Sequence, residues 1–311
     1  MPGIATLTLN PTIDESTTVD HVVPEHKLRC AQPTYEPGGG GLNVSRAIRN
    51  LGGESVVLWT RGGPAGQLLS ELLEKEGLRN ESIPISGFTR TNFIVLEMAT
   101  TLQYRFGMPG PELTEEEAER CLEAVRRLRP VPDYLVVSGS LPPGLGDDFC
   151  ARVAKAVPAS TRVVVDTSGE PLRRALEAGV YLVKPNLREL GQSVGRELRD
   201  DPAIEEAARE LVRDGRAQVV VVSVGAGGAL VVSAEGLERV RSPTVPIKSK
   251  VGAGDSMVGG MVLALSRGLP LREVVRYGVS AGAGAVMTAG TELCRREDVE
   301  RLYAQMQQGA A

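Results

Sequence analysis

Four short runs dominated by valine and leucine, Tyr134 to Val137, Arg162 to Val165, Tyr181 to Lys184 and Val219 to Val224, recur between segments of helical period. Polar residues do not alternate along them. A strand without alternation is covered on both faces, and a chain that intersperses such strands with helices builds a parallel sheet between two helical layers. The spacing predicts helices near 147 to 156, 170 to 178, 187 to 194 and 203 to 214. The same rhythm opens the chain, with a strand from Ile4 to Leu9 halted by Asn10-Pro11, a helix from Leu42 to Leu51 ended by Gly52-Gly53, a strand from Ser55 to Thr60 and a helix from Gly66 to Glu76. Thr114, with Glu117 three residues on, has the pattern of a capping box for a helix reaching about Arg129.

The rhythm breaks twice. Residues 15–36 are mostly polar with no helical period, and Ile83 to Ile85, Thr91 to Met98 and Leu102 to Phe106 read as consecutive strands without a helix between them. The two stretches together predict a small β-sheet lid, so the expected division is an α/β body of residues 1–14, 37–82 and 107–311 and a discontinuous lid of residues 15–36 and 83–106. Asp14 then falls just past the first strand, where ligands of open α/β sheets collect, as an acceptor for substrate hydroxyls or as a solvated loop carboxylate. Beyond Gly225, Ala229 to Ile247 reads as a β-hairpin, and helices are expected at 255–267, 271–288 and 296–307.

Composition narrows the chemistry. With 35 Lys and Arg against 39 Asp and Glu, a formal charge of −4, no global basic field recruits nucleic acid or an anionic membrane, and any anionic ligand must be met by local cations. The four cysteines form no C-x-x-C pair, which argues against zinc and disulfides and fits a reducing cytoplasm. No run of about 18 apolar residues and no signal-peptide pattern occurs. Only His21 and His26 are present, so catalysis is expected to rest on carboxylates, Lys, Arg and backbone N–H groups.

Glycine-rich turns mark where that chemistry would sit. Val251-Gly-Ala-Gly-Asp-Ser256 runs into an apolar helical stretch, presenting bare N–H groups and the positive end of a helix with Asp255 among them. Asp255 is there a helix N-cap or a general base beside a hole for negative charge. Gly38 to Gly41 leads directly into the helix carrying Asn43. In Lys184-Pro-Asn186-Leu-Arg-Glu189, Asn186 and Glu189 fit a capping box and equally the surroundings of a water-coordinated Mg²⁺. Ser223-Val-Gly225-Ala-Gly-Gly228 follows a strand but departs from the dinucleotide fingerprint, and with no Gly-Lys pair in the chain a P-loop is excluded.

Gly38-Gly-Gly-Gly-Leu-Asn43 and Gly252-Ala-Gly-Asp255, in this order, resemble the two signatures of the ribokinase-like (PfkB) carbohydrate kinases. Lys27-Leu-Arg-Cys30, Glu36-Pro-Gly-Gly-Gly-Gly41, Tyr104-Arg-Phe106, Met108-Pro-Gly110, Ser138-Gly-Ser-Leu-Pro-Pro-Gly144 and Val251 to Val258 are similar to the bacterial isozyme 2 group of 6-phosphofructokinases within that family. The resemblance spans essentially the whole chain. It implies a three-layer α/β/α body with a β-lid, ATP and Mg²⁺ as cofactors, and phosphorylation of the C1 hydroxyl of fructose 6-phosphate. It further implies Asp255 as the base and the N–H groups of Gly252, Ala253 and Gly254 as the anion hole.

By the same resemblance Asp14, Gly39 and Asn43 hold sugar hydroxyls, and Arg90, Ser138, Lys27 and Arg29 lie near the sugar phosphate. Lys184, Asn186 and Glu189 face the nucleotide phosphates and Mg²⁺, with Ser223, Gly225 and Gly228 as the nucleotide loop. Ser249, Val251, Ala285, Thr288 and Gly290 match the stretches that hold a monovalent cation, K⁺, and a homodimer through the lid is implied as well. Two positions depart from the pattern: Lys250 stands where Thr is usual, either replacing the cation or pointing to solvent, and Glu292 stands where Arg is usual. Tagatose-6-phosphate kinase, 1-phosphofructokinase and a non-catalytic sugar-phosphate sensor are the competing readings.

Overall fold

The computed structural model describes residues 3–308; residues 1, 2 and 309–311, the outer ends of the expected body, lie outside the described residues. The strands are β1 (Ile4–Thr8), β2 (Thr12–Val19), β3 (Thr34–Gly38), β4 (Val56–Arg61), β5 (Arg79–Pro84), β6 (Arg90–Glu97), β7 (Gln103–Phe106), β8 (Tyr134–Ser138), β9 (Arg162–Asp166), β10 (Val180–Val183), β11 (Ala217–Ser223), β12 (Ala229–Ser233) and β13 (Gly236–Val240). The helices are α1 (Gly40–Asn50), α2 (Gly63–Lys75), α3 (Glu115–Arg127), α4 (Phe149–Ala156), α5 (Gly169–Ala178), α6 (Leu187–Val194), α7 (Asp201–Arg213), α8 (Ala253–Ser266), α9 (Leu271–Val286) and α10 (Arg296–Gln308).

Nine strands form one sheet in the order β13-β12-β11-β10-β9-β8-β1-β4-β5, parallel from β5 to β11 and antiparallel at β12 and β13. Successive side chains point to opposite faces, which is why unalternated valine runs are needed here. One face buries Leu7, Leu135, Val165 and Val220 against Cys121, Phe149, Leu176 and Leu211 of α3, α4, α5 and α7. The other buries Ile4, Val136, Val164 and Val221 against Ile48, Met261 and Tyr277 of α1, α8 and α9. The result is a parallel sheet between two helical layers, as the strand pattern predicts.

Strand order reverses at β1, with β4 and β5 on one side and β8 to β11 on the other. At such a switch point the loops leave in opposite directions and open a crevice at the carboxyl ends of the strands. Thr8, Ser138, Asp166, Val183 and Ser223 are the last residues of β1, β8, β9, β10 and β11, and all five strands end at that edge.

A second sheet, ordered β3-β2-β6-β7, stands over the crevice as a small lid. Its limits differ from the sequence expectation. It starts at Thr12 and β3 continues to Gly38, so Asp14 lies on a strand instead of in a loop, paired with Glu36 on one side and Asn92 on the other. The strand expected over Ile83 to Ile85 belongs to the large sheet, where β5 pairs with β4 and Ile83 is buried in the body core. Having passed through α2, the chain returns parallel to β4, so β5 closes an ordinary β-α-β crossover. The hairpin expected to reach Ile247 stops at Val240, since Pro243 and Pro246 have no N–H to extend a ladder.

Helix α8, which carries the glycine-rich turn at its start, is held by close contact with both helical neighbours. A Cβ on Gly259 would stand 2.9 Å from Ala47 Cβ and 3.0 Å from Val44 O of α1, and one on Gly260 would stand 2.8 Å from Ala281 Cβ of α9. These glycines set how near α8 approaches α1 and α9. Gly259→Val is expected to cost about 1 to 3 kcal/mol by overpacking, read as a lower urea midpoint at unchanged slope.

Candidate active site

The crevice gathers most of the residues singled out from the sequence. Gly252, in the left-handed region at φ 71°, is the N-cap residue of α8 and caps nothing with a side chain, so the N–H groups of the first turn face the crevice without a side-chain partner. A Cβ there would stand 2.3 Å from Leu293 Cδ2, so the position is closed to other residues by both torsion and space. Asp255 lies in that first turn and is not the N-cap residue. Its Oδ2 accepts a 2.9 Å hydrogen bond from Asn43 Nδ2 of α1.

That carboxylate is surrounded by protein while keeping one side open to the crevice. Burial pushes its pKa up from the usual carboxylate value to about 6, and the charge of Asp166 adds to this, while the Asn43 amide and Lys184 pull the other way. Lys184, buried just beyond β10, has its Nζ 3.1 Å from Asp166 Oδ1. Burial alone would lower that ammonium's pKa, but Asp166, with weaker help from Glu189 and Asp255, holds it above the ordinary lysine value. A Cβ on Gly254 would stand 3.5 Å from Lys184 Nζ, which places the ammonium beside the α8 turn.

At the start of α1, Gly39 adopts φ 112°, and a Cβ on Gly40 would stand 2.5 Å from Ser138 Oγ. Ser138 Oγ in turn lies 3.5 Å from Asp166 Oδ2. Asp14 Oδ1 accepts from Asn92 Nδ2 at 3.0 Å; burial raises the Asp14 pKa, with Asn92, Arg90 and Arg105 opposing. Arg90 donates to Met108 O and Asn10 O, both at 3.0 Å, and burial lowers its pKa. The Asn43 Oδ1, Thr8 Oγ1, Asn10 Oδ1 and Arg90 Nε atoms are buried without a hydrogen-bond partner. Orphaned polar atoms of this kind are rare inside proteins, and four on one side of a crevice suit a hydroxyl-rich ligand.

At the far side, Asn186 and Glu189 make a complete capping box on α6, with Asn186 Oδ1 accepting from Glu189 N and Glu189 Oε2 from Asn186 N, each at 2.9 Å. Ser223 N donates to Pro185 O at 2.9 Å, which joins the Gly225 to Gly228 turn to the same place. Behind α8, Ser249 Oγ donates to Gly290 O at 2.9 Å, Thr288 Oγ1 donates to the Ala285 or Glu292 carbonyl, each 2.7 Å away, and Val251 N donates to Ser249 Oγ at 3.2 Å. Lys250 is exposed and makes no ion pair among the described residues, while Glu292 bonds to Arg295.

Lys27 and Arg29 are not brought in. Both are exposed on the connection between β2 and β3 and make no hydrogen bond or ion pair with crevice residues. The connection carries no strand that would hold them against the body. Conversely, the sequence reading missed Asp166, whose signal was a lone acid at the end of a valine strand, as well as Thr8 and Asn92 on strands and Asn10 in the turn between β1 and β2, neutral polar residues that no motif marks.

A buried carboxylate poised near neutrality, an uncapped helix start and a buried ammonium at one switch point define an enzyme that moves a phosphoryl group onto a hydroxyl. Comparison with known proteins agrees: residues 7–298 match the pfkB family carbohydrate kinase model. The ATP-dependent 6-phosphofructokinase isozyme 2 of Mycobacterium tuberculosis (strain ATCC 25618 / H37Rv) is 46% identical over 303 residues, covering 97% of this chain and 89% of that protein. Crystal structures of Escherichia coli phosphofructokinase-2 superpose with TM-scores of 0.95 for the complex with potassium and 0.93 for the complex with fructose-6-phosphate, at 43% and 42% identity, covering 99% of this chain and 100% of each of those chains. The chain belongs to the pfkB family of carbohydrate kinases.

The Asp255 environment predicts a pH profile. A base must be ionised to act, so kcat/KM is expected to rise through about pH 6, where the carboxyl loses its proton, and to fall roughly tenfold per unit below it. The Asn43 amide stabilises the ionised form, so Asn43→Ala should move this limb to higher pH. A profile flat from about pH 5 to 8 in both proteins would show that no such titration governs the reaction.

Proposed function

We propose that this chain is an ATP-dependent 6-phosphofructokinase, moving the terminal phosphoryl group of ATP to the C1 hydroxyl of fructose 6-phosphate to give fructose 1,6-bisphosphate and ADP. The observation that carries the mechanism is the Asp255 carboxylate, raised to about 6 and held by Asn43 beside the uncapped turn of α8. Asp255 takes the proton of the C1 hydroxyl as the oxygen attacks. The N–H groups of Gly252, Ala253 and Gly254 receive the charge on the moving phosphoryl group, helped by the helix dipole. Lys184 contributes a fixed positive charge on the nucleotide side.

Asp14, Gly39 and Asn43 orient the sugar ring, and Arg90 and Ser138 face its phosphate. Arg90 suits that role because its two hydrogen bonds go to neutral carbonyls and it makes no ion pair among the described residues, with Asp14 acting on it only through its nearby charge. Lys27 and Arg29 would join only if the connection between β2 and β3 reached a site. Ser223, Gly225 and Gly228 border the nucleotide.

Mg²⁺ fits the residues present in a limited way. No group of three or more His, Cys, Asp or Glu side chains gathers among the described residues, so a dedicated protein cage is ruled out there; Glu189, with Asn186, suits an ion held largely by water and phosphate. When bound, Mg²⁺ supplies charge neutralisation at the phosphates. For K⁺, Ser249 Oγ and the Gly290 carbonyl are joined and Thr288 Oγ1 bonds to the neighbouring Ala285 and Glu292 carbonyls, while Lys250 is exposed and makes no ion pair among the described residues, which supports a cation in preference to the lysine there.

The lid suggests a partner of its own kind. Along β3, β2, β6 and β7 the register sets Tyr35, Phe93 and Phe106 on one face, 42%, 40% and 51% exposed. An aromatic row on an open four-stranded sheet is a self-pairing surface, and a second copy of the chain covers it in a homodimer. Light scattering is expected to give twice the chain mass for the native protein and the chain mass for Phe93→Asp with Phe106→Asp; a monomeric native protein would remove the dimer.

The activity is tested by coupled assay with ATP over fructose 6-phosphate, fructose 1-phosphate and tagatose 6-phosphate, with fructose 6-phosphate expected to give the highest kcat/KM. Preference for another sugar phosphate would transfer the assignment to that kinase, and absence of turnover would leave a sugar-phosphate sensor. Asp255→Asn is expected to lower kcat by roughly 10² to 10⁴ with KM little changed.

A further inference from the structure

Glu36 is used by none of the steps above, yet it joins both halves of the crevice. It lies on β3, two residues before Gly38, directly across the ladder from Asp14. Its Oε2 accepts from Thr291 Oγ1, and its Oε1 lies 3.7 Å from Arg46 Nη2. Thr291 is buried at 1% exposure. The preceding residue, Gly290, offers its carbonyl to Ser249 Oγ at 2.9 Å, and Ser249 Oγ accepts from Val251 N at 3.2 Å, one residue before the turn that starts α8.

A charge-balancing role for Glu36 is already filled. Arg46 is matched by Glu76, which accepts from Arg46 Nε at 3.1 and 2.9 Å and pairs with Nη2 at 2.9 Å, while Arg46 Nη1 donates to Pro37 O at 2.9 Å. What Glu36 adds that Glu76 does not is the bond to Thr291. A carboxylate spent on a threonine hydroxyl, at the junction between the strand that leads to Gly38 and the loop between α9 and α10, acts on position more than on charge.

We propose that Glu36 is a positioning residue for phosphoryl transfer, fixing the sugar-bearing end of β3 against the α8 turn through Thr291. This rests on the reading of Gly39 and Asn43 as sugar ligands and of Gly252 to Asp255 as base and anion hole. Asn43 and Asp255 are joined directly, and the Glu36 to Thr291 bond adds a second link, from the β3–α1 segment to the loop between α9 and α10, which reaches the α8 turn through Gly290, Ser249 and Val251, so the placing of acceptor hydroxyl against base rests on two links instead of one. Reactions that depend on a near-attack geometry lose rate when such spacing relaxes, even where both substrates still bind.

The test is a double-mutant cycle of Glu36→Ala and Thr291→Val in the full chain, assayed with saturating ATP and Mg²⁺. Each single change is expected to lower kcat about tenfold with KM for either substrate altered less than about threefold, and the double change to be no slower than the worse single one. Glu36→Gln and Thr291→Ser, which keep an acceptor and a donor, are expected to restore kcat to within about twofold. Additive losses, a loss confined to KM, failure of both conservative variants to restore the rate, or an unchanged kcat would each overturn the proposal. Urea midpoints of the variants separate loss of rate from loss of fold. Should the native chain not turn over fructose 6-phosphate, the functional reading fails by itself, and the cycle is run on whichever acceptor of the panel it does phosphorylate.

Discussion

The hydrogen bond from Asn43 to Asp255 spans 212 residues of sequence and ties the first glycine-rich element to the last. Everything else in the crevice is arranged so that this bond can form. The large sheet brings α1 and α8 to the same face, the glycines of α8 let it approach α1 closely, and Gly39 and Gly252 provide the two backbone conformations with positive φ from which the helices start. Without the bond, a carboxylate in this place would be more strongly protonated, because burial is the largest influence on it. With it, the group titrates near neutrality, where a base is neither permanently charged nor permanently blocked.

Much of this was legible in the chain. Valine runs without alternation demand cover on both faces, so a parallel three-layer body followed from patterning alone, and helices such as α6 were expected at the limits where they occur. At Asn186 and Glu189 the capping box is complete, as its spacing indicated, and the Mg²⁺ reading of the same pair stays a proposal. At Asp255 the alternatives do separate, since the N-cap position belongs to Gly252 and the carboxylate bonds to another helix.

What was not legible depended on pairing between distant segments. Periodicity assigns Ile83 to a strand but does not say which sheet that strand joins; β5 goes to the body because the crossover through α2 returns it beside β4. Asp166 escaped notice because one acid at a strand end looks like any strand terminus until Lys184 is found 3.1 Å away. Lys27 and Arg29, placed near the sugar phosphate by the resemblance alone, lie exposed on the connection between β2 and β3 and make no contact with the crevice of their own chain.

Two devices place positive charge in a protein that is acidic overall, and they have different consequences for a multiply charged ligand. Lys184 is paired with Asp166, which offsets the cost of burying an ammonium and keeps it protonated, so an arriving phosphate meets a salt bridge whose net charge is close to zero and whose dipole is already oriented. Arg90 instead has its hydrogen bonds to two backbone carbonyls and no ion pair among the described residues; burial lowers its pKa and the nearby charge of Asp14 partly opposes this. A cation fixed by neutral partners keeps more of its charge for an arriving anion than one fixed by a carboxylate in direct contact, which mainly directs it. On the proposed assignment the Arg90 end of the crevice therefore favours affinity and the Lys184 end orientation, the division a transfer reaction needs when the acceptor must be held still and the phosphoryl group must move.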